Sequence, residues 1–198
     1  MVQSLTRALS RSDENQKERF ESLVKDSFRS AYGFAYRLTG NLTDAEDLVQ
    51  ETYLRAYRFF HRYDEDLPFL NWLYRIMSNA HVDTVRRRGR LRTTSLEQTV
   101  FGGTTTLEIP DDEASPEAEL MQNAMGEHVE AGLQAMNPEF RTAVLLADVE
   151  GMAYEEIASI MGTSVGTVRS RIHRGRKQLK RLLRKRCPAQ YGGESGVV

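Results

Sequence analysis

Apolar residues recur along most of the chain at spacings of three and four residues, the period of an amphipathic α-helix. In the first half, three such stripes cover residues 20–38, 45–60 and 69–80. Thr43 and Glu46 have the spacing of a capping box, which predicts that the second of these helices begins at Thr43. No segment shows the sustained alternation of a strand, so the pattern predicts an all-α fold.

The second half of the chain has the same helical period. Ser115-Pro116 is a helix start signal, and apolar positions recur over residues 121–136. Asn137-Pro138 starts a further helix. Two short stripes then follow closely, over residues 154–161 and 165–179.

The junction between these last two stripes predicts a tight turn. Gly162 permits the turn conformation, and Ser164 is a natural N-cap for the helix that follows. Two short helices joined by a glycine-containing turn form a helix-turn-helix, a motif whose second helix enters the major groove of DNA.

The second helix of this motif has two different faces. Val165, Val168 and Ile172 recur at helical spacing and are expected to point inward. From Ser164 to Arg186 the chain has ten Lys or Arg residues and no acid. The polar face predicts hydrogen bonds to base edges and phosphates, whereas a solvated basic helix end is the alternative. Its residues are Arg169, Ser170, Arg171, His173, Arg174 and Lys177.

The charge distribution divides the chain more clearly than its net charge of −1 does. Between Arg92 and Arg141 there is no Lys or Arg but there are ten Asp or Glu residues. The middle of this stretch has paired glycines, three threonines and no helical period, which is typical of a linker. We therefore expect two helical domains, at 17–92 and 116–186, joined by a flexible acidic linker at 93–115. Flexible ends are expected at 1–16 and 187–198.

Several function classes find no support in the residues. The chain has no apolar run of membrane-spanning length and no signal-peptide pattern, which predicts a cytoplasmic protein. Cys187 is the single cysteine, so neither an internal disulfide nor a cysteine metal site is expected. Asp111, Asp112 and Glu113 are adjacent acids that could bind a metal, but such runs are usually solvated. No cofactor, metal or catalytic activity is expected.

The string EEIASIMGTSVGTVRSRIHRGRKQL resembles the promoter-binding C-terminal domain of the extracytoplasmic-function (ECF) group of bacterial sigma factors. Two first-domain segments, DAEDLVQETYLRAYRFF and WLYRI..N...D..R, are similar to the polymerase-docking helix and the minus-ten element of that family. The matching motifs occur in the family's order in both domains. The chain is thus identified as a member of this group, a dissociable polymerase subunit that provides promoter specificity.

The resemblance implies two further contact surfaces. Contacts to the clamp helices of RNA polymerase would come from Asp47, Leu48, Gln50 and Glu51, for which a solvated helix face is the alternative. Contacts to the minus-ten element would come from the loop that begins at Tyr63 and from Arg75, Asn79 and Arg86. The acids Asp64 to Asp66 are unexpected in a loop beside a phosphate backbone.

The implied partners are RNA polymerase core, promoter DNA and an anti-sigma factor, and the implied role is promoter-specific initiation, with stress response as a typical setting. Opening of the promoter would be driven by binding energy, because the sequence has no nucleotide-binding loop. A stand-alone helix-turn-helix regulator is the alternative, although it leaves the first-domain motifs without a role.

Overall fold

The computed structural model describes residues 2–94 and 126–191, with side chains for 14–87, 126–188 and 191. All regular elements in these ranges are helical, which confirms the all-α prediction. The helices are α1 (Val2–Thr39), α2 (Leu42–Arg58), α3 (Phe69–Thr94), α4 (Glu127–Gln134), α5 (Pro138–Val144), α6 (Tyr154–Met161), α7 (Val165–Arg186) and α8 (Pro188–Tyr191). A 3₁₀ turn covers Phe60–Arg62, and α5 continues into a π-helical segment at Leu145–Val149.

Helices α1, α2 and α3 pack against one another as the first domain. Their apolar stripes meet in a core that includes the fully buried side chains of Phe34, Leu38, Leu73, Tyr74 and Met77. Burying a large apolar side chain stabilises a fold by about 1.5–3 kcal/mol. These three helices therefore have enough apolar contact to hold their relative positions.

The start of α2 differs from the sequence prediction. Asn41 is the N-cap: its backbone is extended and its side-chain oxygen accepts from the Asp44 backbone N–H at 2.7 Å. The predicted capping box at Thr43 is wrong, because α2 begins at Leu42 with Asn41 as its N-cap, so Thr43 lies inside the first turn of the helix.

Helices α4 to α7 form the second domain, in which α7 contacts each of the other three. Its core contains the fully buried Leu145, Leu146, Ile157, Val168 and Ile172. Between α6 and α7, Gly162 has φ +59°, and Ser164 accepts from the Thr167 backbone N–H at 3.2 Å. Both the predicted turn glycine and the predicted N-cap are thereby confirmed.

Some predicted boundaries fall beyond the described residues. The linker from residue 95 onward and the helix start at Ser115-Pro116 lie outside them. The backbone of α1 is helical from Val2, inside the segment expected to be a flexible end, and α8 lies inside the expected tail.

The two domains are in contact. Gln134 donates to the backbone carbonyl of Arg37 at 3.1 Å, and the Arg141 guanidinium donates to that of Leu38. These bonds satisfy carbonyl groups at the end of α1 that have no partner within the helix. The second domain therefore caps the C-terminus of a first-domain helix.

Candidate promoter and polymerase interfaces

Helix α7 presents a basic row to solvent because its opposite side is anchored in the core. Val168 and Ile172 are 0% and 1% exposed, and they fix the rotation of the helix. Four predicted DNA-binding side chains are exposed on it, and Ser170 is half-buried beside them. These four are Arg169, His173, Arg174 and Lys177. The arrangement places donors for base edges and phosphates on one rigid element.

Arg171 is the member of the predicted set that does not join this row. Its side chain is only 22% exposed, and its Nη2 lies 2.6 Å from Oε2 of Glu139 in α5. Arg176 lies on the same helix but was not among the predicted DNA-binding residues. It is also paired, because its Nε donates to Asp148 at 3.0 Å. This hydrogen bond raises the pKa of Arg176. The basic charge of α7 is therefore partly used within the domain.

The predicted minus-ten loop is closed on itself. Tyr63 lies in an aromatic cluster with Phe60, Phe69 and Trp72, with ring centroids 5.8, 5.3 and 5.2 Å from its own. Its hydroxyl donates to the Leu67 carbonyl at 2.6 Å, which ties the two ends of the loop together. Burial raises the pKa of the Tyr63 hydroxyl, so it remains protonated and able to donate.

The acids of this loop have a local explanation. Glu65 forms an ion pair with Arg19 of α1, and the guanidinium lowers the pKa of that carboxyl. Asp64 accepts from the Asp66 backbone N–H at 3.1 Å, in the geometry of an Asx turn. One acid is thus neutralised and another shapes the loop, which reduces the negative charge that a nearby phosphate would meet.

The remaining minus-ten residues lie along α3. Arg75 and Asn79 are both exposed, and Arg86 is exposed but paired, with its Nη2 3.2 Å from Oε1 of Glu139. Asn79, Arg86, Glu139 and Arg171 line one cavity of about 210 Å³ between the domains. The structure therefore brings residues predicted to contact the minus-ten element together with one residue predicted to contact the minus-thirty-five element.

Three of the four residues predicted to contact polymerase are exposed on α2. Asp47, Gln50 and Glu51 are exposed, and Glu51 pairs with Arg55 one turn on. Leu48 is not part of this surface: it is 8% exposed and packs in the core. It lies three residues after the buried Ala45, which puts it on the inward stripe.

Two exposed residues that were not predicted from the sequence extend this surface. Leu54 is 63% exposed and Tyr57 is 53% exposed. They follow Glu51 by three and six positions, so they lie along the same side of α2. An apolar residue at a position outside the core stripe was the available signal. We define the docking face as Asp47, Gln50, Glu51, Leu54 and Tyr57.

A polar network between the domains was also missed. Glu150 follows the π-helical segment, and its carboxylate accepts from the Tyr74 hydroxyl at 2.6 Å and from Arg37 at 3.4 Å. Burial and the Glu150 carboxylate both raise the pKa of Tyr74. Tyr36 donates to Glu130 at 3.5 Å. Nothing in the helical pattern distinguishes these residues from solvated ones.

Within the described ranges, no cluster of three or more His, Cys, Asp or Glu side chains is arranged to hold a metal ion. In the same ranges, no helix has the length and apolar character that a membrane crossing requires.

Comparison with known families gives two matches in the order of the two domains. Residues 23–91 match the family described as Sigma-70 region 2, and residues 128–179 match Sigma-70, region 4. The first match covers the docking face and the minus-ten residues, and the second covers the helix-turn-helix. A stand-alone helix-turn-helix regulator does not account for the first match.

Individual relatives agree with these matches. The chain is 43% identical over 166 residues to the ECF RNA polymerase sigma factor SigE of Mycolicibacterium smegmatis, an alignment that covers 84% of this chain and 62% of that protein. It is 32% identical to the RNA polymerase sigma-H factor of Pseudomonas aeruginosa, covering 91% of this chain and 93% of the relative.

A solved structure shares the fold across both domains. It is the sigma factor RpoE of Bartonella quintana in complex with the anti-sigma factor NepR, with a TM-score of 0.64, 25% identity and coverage of 84% of this chain and 98% of that one. Sequence and structure thus give the same assignment. The chain belongs to the ECF group of RNA polymerase sigma factors, the dissociable subunits that bind the core enzyme and direct promoter-specific initiation.

Proposed function

We propose that this sigma factor uses three separate surfaces for its three tasks. The docking face binds the clamp helices of the largest polymerase subunit. The exposed row of α7 reads the minus-thirty-five element in the major groove. The Tyr63 loop and Asn79 take up minus-ten bases, while Arg75 and Arg86 contact the backbone.

One observation carries the recognition part of this proposal. Arg169, His173 and Arg174 are exposed on a helix whose inward side is fully buried. A rigid helix with a basic outer row can be placed in a major groove with little loss of conformational entropy, and each well-placed bidentate contact to a base discriminates by about 1–3 kcal/mol.

For the minus-ten element, the chemistry of the exposed side chains supports the proposal. The Asn79 amide can both donate to and accept from the edge of an unstacked base. The aromatic cluster around Tyr63 offers ring faces near the same helix. Strand separation would then be driven by binding, without an enzymatic step, in the cytoplasm where the polymerase acts.

We further propose an anti-sigma factor as a regulator of this chain. The similar sigma factor RpoE was solved in complex with the anti-sigma factor NepR. A second similar protein, CnrH, was solved in complex with the cytosolic domain of CnrY. Binding of the purified chain to a candidate regulator, in competition with polymerase core, tests this part.

The central test is reconstitution with bacterial core polymerase on a promoter library. We expect the wild-type chain to bind core and to give defined start sites. Glu51→Ala should weaken core binding, whereas Arg169→Ala should leave core binding intact and lower promoter selection by about 10-fold or more.

Two control substitutions keep this test specific. Asp26→Ala removes an exposed acid from α1, and Arg186→Ala removes an exposed base from the last residue of α7, on another side of that helix from the proposed row. Equal losses for Glu51→Ala and Asp26→Ala would contradict the docking assignment. Equal losses for Arg169→Ala and Arg186→Ala would contradict the recognition assignment.

A further inference from the structure

The Glu139 carboxylate contacts arginines of both domains. Its two carboxylate oxygens bind two different arginines, Oε1 to Arg86 of α3 at 3.2 Å and Oε2 to Arg171 of α7 at 2.6 Å. Arg86 belongs to the first domain, and the other two residues belong to the second. One carboxylate therefore connects the two domains and pairs with one arginine that the sequence assigned to each promoter element.

The position of Glu139 is set by its own helix. It lies in the first turn of α5, directly after Pro138, and its backbone N–H donates to the Asn137 side chain at 2.9 Å. Proline fixes the backbone angle at this helix start. The carboxylate is thus held at the mouth of the interdomain cavity, where arginines from both domains reach it.

In a promoter complex, these arginines would bind DNA phosphates in place of the Glu139 carboxylate. Arginine binds carboxylate and phosphate with the same paired donor geometry. The Nη2 groups that Glu139 engages are not available to a DNA phosphate at the same time, and the negative charge of the carboxylate repels a phosphate that approaches either guanidinium. Glu139 therefore competes with the DNA backbone for the same donors.

The closed arrangement also cannot span a promoter. Elements centred near minus thirty-five and minus ten are separated by about 25 base pairs, or ~85 Å of duplex at 3.4 Å per base pair. In this structure Asn79 and Arg171 line a single cavity of about 210 Å³. The domains must therefore separate before both elements are bound. The chain between Thr94 and Gly126, at ~3.3 Å per extended residue, can reach on the order of 100 Å.

We propose that Glu139 is an autoinhibitory clasp, which holds the free sigma factor closed through Arg86 and also occupies Arg171, until DNA phosphates or a binding partner displaces it. This inference rests on the proposed function of the two surfaces. Glu139 takes no part in the contacts of Glu150 and Arg141 between the domains and lies outside both domain cores. Its substitution therefore removes part of the stabilisation of the closed form, which shifts the closed–open equilibrium and leaves both domains folded.

The test uses the full chain without polymerase. Spin labels on the natural Cys187, which directly follows α7, and on a cysteine introduced by Glu18→Cys in α1 report the interdomain distance. Affinity is measured for a random-sequence DNA duplex, because phosphate contacts do not depend on sequence. Glu139→Gln should lengthen the distance and tighten duplex binding about 2- to 30-fold, the range that two partly exposed ion pairs support.

Two further variants separate the clasp from a simple change of charge. Glu155→Gln removes an exposed first-turn acid of α6 in the same domain and should leave the distance unchanged. Arg86→Gln breaks the clasp from the other side, so it should lengthen the distance without tightening duplex binding. An unchanged distance in Glu139→Gln would overturn the proposal, even if duplex binding rose.

Failure of the clasp and failure of the proposed function give different results. If Glu139→Gln leaves the distance equal to that of the wild type while Arg169→Ala and Arg86→Gln lower initiation with core, the clasp is wrong and the surfaces stand. If Glu139→Gln opens the chain but neither Arg169→Ala nor Arg86→Gln affects initiation, the contact between the domains is correct, and its inhibitory role fails together with the surfaces.

Discussion

At the residue scale, Gly175 shows how closely α7 approaches α5. A Cβ atom at this position would lie 2.6 Å from Cγ2 of Val144 and 3.1 Å from the Phe140 carbonyl oxygen. Val144 is buried and β-branched, so its side chain has little freedom to move away. We expect Gly175→Ala to lower the unfolding free energy by about 1–3 kcal/mol, measured by urea denaturation.

The same helix provides the control for this substitution. At Gly166 the nearest atom to an added Cβ is the Ser164 hydroxyl oxygen at 3.9 Å, which is an ordinary contact. Alanine is about 1 kcal/mol better than glycine within a helix. Gly166→Ala should therefore be neutral or stabilising, and equal destabilisation by both substitutions would contradict the close-approach explanation.

Arg141 is a buried cation that holds several carbonyl groups. It is 6% exposed, burial lowers its pKa to about 10, and it donates to carbonyl oxygens of Leu38, Gln134 and Met136. Arg141→Met should leave these acceptors unsatisfied and lower the unfolding free energy by about 2–4 kcal/mol. Exposed Arg169→Met should change it by less than about 0.5 kcal/mol. Similar effects from the two variants in thermal unfolding would contradict this assignment.

At the element scale, the docking face gives a prediction centred on an apolar side chain. Leu54 is 63% exposed, in line with Glu51 on α2. Burial of a leucine against a partner contributes on the order of 1–2 kcal/mol, so Leu54→Ala should weaken core binding about 10-fold without changing the unfolding free energy. Leu67→Ala, which truncates a leucine of 54% exposure in the Tyr63 loop, is the matched control for core binding. Equal weakening by both would place the effect outside the docking face.

Most helices could be predicted from sequence because each has a strong local signal. Gly162 and Ser164 have conformational preferences that independently indicate the turn and start of α7, and the structure has both. Leu48 was included through the family resemblance, which does not distinguish exposed from buried positions, and it is buried in the core. Thr43 was chosen from a capping-box spacing, but Asn41 is the N-cap of this helix. Whether a residue at the edge of an apolar stripe, such as Leu48, is buried depends on the side chains packed around it. The helical period carries no information about those neighbours.

At the scale of the whole molecule, the contact between domains had no sequence signal. Four polar side chains at this contact would be equally suited to a solvated helix face and to an interface: Tyr36, Tyr74, Glu130 and Glu150. Their partners lie far away in sequence, and the segment between the domains shows no period. The charge distribution predicted basic regions before and after the acidic stretch. It did not predict that Glu139 would form an ion pair with one arginine of each region.

This contact makes stability depend on pH through Glu130. Burial raises the pKa of its carboxyl above the ordinary 4.5, while the Tyr36 hydrogen bond and Arg37 act in the opposite direction. The packed molecule therefore binds this proton more tightly than the unfolded chain does. Ionisation of Glu130 costs stability at neutral pH, and this cost disappears as pH falls through the raised pKa.

Glu130→Gln removes the cost, because the amide oxygen can still accept from Tyr36 and has no charge to desolvate. The variant should be more stable than wild type at pH 8, and the two unfolding free energies should converge as pH approaches 4.5. Urea denaturation across that range measures the difference. Glu18→Gln, at an exposed position of α1, should track the wild type throughout. Parallel curves for Glu130→Gln and wild type would mean that burial of this carboxylate between the domains does not affect stability in solution.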